Sequence, residues 1–436
     1  LAERVGVDDA TIRRWEQGEV SPQGRNKWKL MKALEVSSEE ELDLGPKSVE
    51  KPVLVLHSLT RHSRVAHLVI LVFSDSNSAL DLQCEVRASL ERLLMDPISR
   101  REALYTLAAI PLAPQLLSTD AVTKSADEIL RRCAAGIVAC EQLSKGNGED
   151  MREASKTLTS YLPILETIAK SSPSSRRRKT TLTLMTQICI RKAVLASHLA
   201  GTKLAATYAK QAVEYAEQSD DTELTISALV WHAWALFYNG QMSSAMETAL
   251  RAKHLVEHTD GLSALTCSSV HAVAAQYQAA NGLKYKDEAL ATLKQARNNF
   301  QTASKSNEKT MYLDNTLDVL MLVDGMVHFY TGDSVSAYDI FSKVIDPDSL
   351  QPKIDFSSER LRIEAINDLT LASLKLPGPK KDKERSINLW KAGLQGAMDL
   401  RSEKRLNEAV IAYHIMEALW EDDEEIREMR ELIVHW

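Results

Sequence analysis

His254 and His258 stand four residues apart, the spacing at which two imidazoles share one helix face and can hold a metal ion. A zinc hydrolase would place glutamate directly after the first histidine. Leu255 stands there instead and no third ligand presents itself, so no metal is expected. The five cysteines (Cys84, Cys133, Cys140, Cys189 and Cys267) form no Cys-x-x-Cys pair. Cys133 and Cys140 fall on one helix face, but seven helical residues rise about 10.5 Å, too far for a disulfide. An odd, scattered set fits a reducing cytosol, and a cytoplasmic location is expected. No GxxxxGK[ST], GxSxG or GxGxxG string occurs, and the scattered carboxylates have no pairing that suggests catalysis. The expectation is therefore recognition, with no catalytic residue and no cofactor. Arg100-Arg101 before Leu107–Leu112 has the form of a twin-arginine export signal, but a hundred residues into the chain it reads as a helix start with an apolar face. The basic run Arg176–Lys179 reads as a solvated helix start.

Recognition surfaces need elements to carry them. Of the 436 residues, 44% are hydrophobic, Pro is scarce at 12 and the formal net charge is −7, so helices are favoured and any nucleic-acid surface must be local. The longest apolar run, Val65–Phe73, falls far short of the roughly 20 residues of a membrane span. From Arg100 onward the apolar period is helical. Turns are predicted at Gly201, Asn239-Gly240, Asn281-Gly282 and Thr331-Gly332. The helix before a turn carries one face at i, i+4, i+7, i+11, as in Leu229, Ala233, Leu236 and Gly240. The helix after it carries a second set: Ala206, Lys210, Val213; Ala245, Ala249, Ala252; Ala289, Leu293, Ala296; and Ala337, Phe341, Val344. A helix pair cannot bury such a face alone, so the pairs must stack. Arg131–Ala169 is predicted as a pair at the front. Arg360–Leu376 with Lys383–Leu400 makes a fifth pair, and Asn407–Trp420 with Asp423–Val434 caps the array.

At the other end, Gly6 breaks a short helix and Asp8 can cap the next, predicted over about Asp9–Gln17 and stopped by Gly18. Gly45-Pro46 marks a boundary. The expected organisation is a head over 1–45, a linker over 46–98, a helical front over 99–179 and the repeats over 180–436.

The string LAERVGVDDATIRRWEQGEVSP, followed by KLMKALEVSSEEEL, resembles the Cro/lambda-repressor (XRE-type) class of helix-turn-helix domains. Leu1-Ala2, Gly6-Val7, Thr11-Ile12, Trp15-Glu16, Gly18, Pro22, Leu30, Ala33-Leu34 and Leu42 carry the likeness. The resemblance implies that the domain's first helix and the opening turn of its second are absent, as in a fragment or a misplaced start. The remainder resembles tetratricopeptide (TPR) repeats, and the phrases SSERLRIEAINDLTLASLKL and GLQGAMDLRSEKRLNEAVIAYHIMEALW resemble bacterial regulators joining such a head to such a body. The fold so implied is all-α: a partial helix-turn-helix head followed by a TPR-like α-solenoid.

The resemblance implies roles. Asp9, Ala10 and Arg14 would face bases, Arg14 being able to grip guanine O6/N7 for about 1–3 kcal/mol of discrimination. Thr11, Arg13 and Lys27 would face phosphates. In the repeats, the first helix of each pair would line a groove for a peptide or protein segment, offering Arg191, His198, Trp231, His232, Gln276, Tyr277, Asp324, His328 and Asn367. Better-understood relatives are pheromone-responsive regulators whose repeats bind a short peptide and alter a DNA-binding homodimer. The rival is a protein-interaction scaffold with a head that no longer binds DNA. It draws on residues 1–44 holding seven Lys/Arg against ten Asp/Glu, which weakens counterion release.

Overall fold

The computed structural model describes residues 79–92, 126–172, 174–306 and 316–434, together with Val7, Leu104 and Leu313. The chain divides between His67 and Leu68 into two units, and every described helix lies in the second. The described residues form an all-α fold of sixteen helices and two short 3-10 turns. Among them no strand occurs, only an isolated β-bridge between Ile345 and Pro352.

Three helices open the unit: α1 (Ala79–Arg92), α2 (Ala126–Leu143) and α3 (Gly148–Ser171). Ala79, Leu82 and Val86 of α1 share one core with Cys133, Ile137 and Cys140 of α2. Five antiparallel pairs follow. They are α4 (Ser175–Leu199) with α5 (Thr202–Gln218), α6 (Thr222–Tyr238) with α7 (Met242–Glu257), α8 (Ala264–Ala280) with α9 (Lys286–Ser306), α10 (Leu317–Tyr330) with α11 (Ser334–Phe341), and α12 (Glu359–Leu374) with α13 (Lys383–Leu400). Helix α14 (Glu403–Leu419) and the short α15 (Glu424–Glu428) and α16 (Arg430–Val434) end the array.

Local chemistry sets these boundaries. Asp221, Ser263, Asp333, Ser358, Asp382 and Ser402 each accept the N–H three residues on, satisfying an orphan donor at the start of the next helix. Each such cap is worth about 1 kcal/mol. The turns within four pairs fall on Gly201, Gly240, Gly282 and Gly332, at φ of +90°, +76°, +111° and +82°, where a Cβ would be strained. Helix α11 is short: the chain leaves it through turns at Ser342–Val344 and pairs Lys353 N–H with Val344 O.

The second-helix faces are buried as small, close-packing stripes: Ala245, Ala249 and Ala252; Ala289, Leu293 and Ala296; Ala337, Phe341 and Val344. Helix α5 departs from its expected set. Of that set Val213 is buried, Ala206 is half-buried and Lys210 is exposed, while the main buried stripe is Ala205, Ala209, Ala212 and Ala216. The reason is the cap: Gly201 is itself the residue that starts α5, whereas Gln241 and Asp333 stand between their glycines and the next helix. One residue fewer in the turn shifts the face by one position.

Each first helix touches the next, in the order α4, α6, α8, α10, α12, α14, and α14 returns to touch α4. The small rotation added by each pair therefore accumulates to a closed ring of six inner helices. At the seam His198 Nδ1 lies 2.6 Å from Ser402 Oγ. Gly148 abuts the last turn of α13 so closely that an added methyl would sit 2.8 Å from Leu400 O.

Candidate functional site

The ring surrounds a partly open cavity of about 220 Å³ with contributions from all six inner helices. One side is apolar: Trp231 of α6, Val273 of α8, and Leu322 and Met326 of α10. The other is built by Arg360, Glu364 and Asp368 of α12 with Lys404 and Arg405 of α14. Residues i, i+4 and i+8 share a helix face, so α12 turns all three of its polar side chains the same way. The cap at Ser402 fixes the first turn of α14 and with it the positions of Lys404 and Arg405.

Arg405 is only 2% exposed and bridges two carboxylates. Its Nη2 pairs with Glu364 Oε2, and its Nη1 donates to Glu408 at 2.6 Å. Tyr238 Oη donates to Glu364 Oε1 at 2.9 Å. Asn367 Nδ2 donates to Arg405 O at 3.2 Å and to Glu408 Oε2 at 3.1 Å, which holds the bridge from behind. Arg405 Nε has no hydrogen-bond partner among the described residues.

Lys404 is equally enclosed, at 4% exposure. Its ammonium lies 3.4 Å from the centre of the Tyr238 ring and 4.5 Å from that of Trp234, a cation–π arrangement. Its nearest carboxylate oxygen, Glu364 Oε1, is 4.0 Å away, beyond hydrogen-bond range.

These groups set one another's protonation. Burial alone would raise the Glu364 carboxyl, but the charges of Arg405 and Lys404, with the Tyr238 hydroxyl, outweigh it and hold the pKa at about 2. Asp368 goes the other way: burial, then the Glu364 and Glu408 carboxylates, push it well above the usual carboxylate range despite Arg405 and Lys404. Burial pushes Lys404 down to about 8 against the pull of Glu364, which leaves it mostly cationic at neutral pH. Burial, then Arg360, Arg405 and Lys404, drive His198 well below its ordinary value, so its ring is neutral.

Four of the nine residues expected in a groove line this cavity: His198, Trp231, Gln276 and Tyr277. Tyr277 stacks on Phe237 at 4.8 Å between ring centres. Asn367 stands behind Arg405. Arg191 turns away to Glu141, which Arg87 also engages. His232 lies where the charges of Lys210 and Arg251 reach it, and burial, then these cations, lower its pKa. Asp324 accepts from Arg297 Nε at 2.7 Å, and His328 lies between Asp324 and Asp333. His254 and His258 stack on each other at 4.1 Å, with His258 Nδ1 2.8 Å from His254 O; among the described residues no group of three metal-ligating side chains occurs. The Arg176–Lys179 run meets protein at two points, Arg177 on Asp127 and Lys179 on Asp220 O. No described helix is long and apolar enough to cross a membrane.

Asp9, Ala10, Thr11, Arg13, Arg14 and Lys27 lie outside the described residues, as do Val65–Phe73 and Arg100-Arg101. Residues 1–40 match the helix-turn-helix family model. The chain therefore carries a helix-turn-helix segment ahead of its helix-pair body. No curated protein sequence matches the chain. Among solved structures, one titled as the P58(IPK) TPR domain is 15% identical, aligned over 88% of this chain and 96% of its own, with a TM-score of 0.19. A score so low carries no argument about this body.

Proposed function

We propose that the protein is a sequence-specific DNA-binding transcription regulator whose helix-pair body senses a peptide or protein segment through the central cavity. The match of residues 1–40 supports the DNA-binding half, with Arg14, Asp9 and Ala10 towards bases and Thr11, Arg13 and Lys27 towards phosphates. The observation that carries the sensing half is a partly open cavity furnished by six helices, onto which Lys404 presents an ammonium 4.0 Å from its nearest carboxylate oxygen. Selection from a random DNA library by the full chain tests the reading. One enriched sequence, lost with Arg14→Ala, is the expected result, and enrichment of none would refute it. The excess of acidic over basic residues in 1–44 favours a second reading, a protein-binding scaffold. That reading requires Arg14→Ala to leave every function intact.

A further inference from the structure

The polar wall of the cavity answers its own charges. Arg405 pairs with both Glu364 and Glu408, and Lys404 stands among Glu364, Glu408 and Asp368. Arg360 is engaged as well. Tyr238 Oη donates to Glu364 and Asn367 Nδ2 to Glu408. Lys145 lies half-exposed in the turn between α2 and α3, where water screens it. An anion at this wall would meet Glu364 and Glu408, and a cation would meet Lys404 and Arg405, whatever the state of Asp368. Either ion would give up its hydration for a wall with no spare counter-charge. What the cavity leaves open is ring surface. Trp231, Trp234 and Tyr238 fall at i, i+3 and i+7 on α6; all three line the cavity and none is fully covered. Trp231 and Trp234 meet edge to face with their centres 5.6 Å apart, and such rings favour a further ring stacked or edge-on. Val273, Leu322 and Met326 complete the apolar side, and a methionine thioether packs well against an aromatic ring. An apolar cavity of about 150 Å³ takes one benzene ring, so about 220 Å³ takes two fused rings.

We infer that the cavity takes an uncharged two-ring aromatic group, laid against Trp231 and Trp234 and packed by Val273, Leu322 and Met326. The inference rests on the sensing half of the reading above and names the chemistry of what is sensed. Two sources supply that chemistry, a free aromatic compound and a tryptophan side chain of a peptide. Calorimetric titration of the full chain separates them. One arm compares 2-naphthalenemethanol with 2-naphthoate and 2-naphthylmethylamine, and the other compares acetyl-glycyl-tryptophanyl-glycinamide with its leucyl counterpart. The naphthyl alcohol should bind at least tenfold more tightly than either ion, or the tryptophanyl peptide at least tenfold more tightly than the leucyl one; which of the two binds identifies the source. Trp231→Ala should lose at least tenfold in affinity for the group that binds. Val273→Trp, which fills the apolar side and touches no charge, should abolish binding. The wild-type comparisons stay decisive even if both variants fail to fold. Binding by neither uncharged probe, a naphthyl ion within tenfold of its alcohol, a leucyl peptide that matches a binding tryptophanyl one, or full affinity in a folded Trp231→Ala variant would each overturn the proposal. None of these readouts involves DNA. An enriched DNA sequence without aromatic binding removes only this inference, and aromatic binding without an enriched sequence removes only the DNA-binding reading.

Discussion

Lys404 and Arg405 are adjacent, both are buried, and their side chains face opposite energetic situations. Arg405 is matched by two carboxylates, so its removal strands Glu364 and Glu408 in a dry interior. Breaking one side of such a buried network costs about 3–5 kcal/mol, and Arg405→Met should lower stability by that much in urea unfolding. Arg177→Ala, which breaks the exposed pair with Asp127, should cost about 1 kcal/mol or less. Lys404 has the reverse sign. Its pKa of about 8 in the fold lies below its ordinary 10.5, so the unfolded chain holds the proton more tightly. The stability this shift contributes is fully present above pH 10.5 and is lost as pH falls through about 8. The wild type should therefore gain on Lys404→Met between pH 8 and 10.5, on the order of 2 kcal/mol. A pH-independent difference between the two would contradict the placement of that ammonium. The sequence hid this site for a physical reason. Most of the inner helices are covered on nearly every side, and in α4 almost every residue from Thr181 to His198 is buried. Hydrophobic periodicity separates an inward face from a wet one, and here no wet face exists to give contrast. The spacing of Trp231, Trp234 and Tyr238, and of Arg360, Glu364 and Asp368, was a readable signal. Both sets repeat at helical intervals, and the second lies within a phrase already singled out for its family resemblance.

At the scale of elements the sequence was far more informative. Paired helices, glycine turns and capped starts are local devices, each decided within about five residues, and the four turn glycines adopt the backbone that such turns require. Gly240 sits at φ +76° with open space around its Cβ position, so Gly240→Ala isolates backbone strain and should cost about 1–2 kcal/mol. Gly325 tests packing instead. A methyl there would collide with the fully buried Phe341 ring, and Gly325→Ala should cost about 1–3 kcal/mol despite the better helix propensity of alanine. Thermal or urea unfolding of both variants checks the pair. The one-residue shift in α5 shows where local reading stops: the glycine was visible, but not that it would itself begin the next helix. The second-helix stripes were legible because each has a solvated back. The inward side chains of α12 were not, because both of its faces are covered by other helices; α14 keeps a wet face at Asn407, Ile411 and His414, but Lys404 and Arg405 are charged residues on its buried side, where periodicity expects apolar ones.

Ring closure belongs to the whole molecule. His198 and Ser402 are 204 residues apart, and their meeting depends on the summed rotations of five helix pairs, which no local pattern encodes. Closure is what gathers a row of inner helices around one cavity: it brings α14, and with it Lys404 and Arg405, opposite the aromatic face of α6. If the array were open, the same residues would stand along a wet groove and the pKa displacements of Lys404, Asp368 and His198 would collapse. The most direct test is a cross-link across the seam. Mild oxidation of the His198→Cys/Ser402→Cys double variant in the full chain, followed by peptide mapping, should recover a disulfide-linked peptide joining the end of α4 to the start of α14. Recovery of those two positions only as separate thiols would show that the seam is open and contradict the closed ring of inner helices.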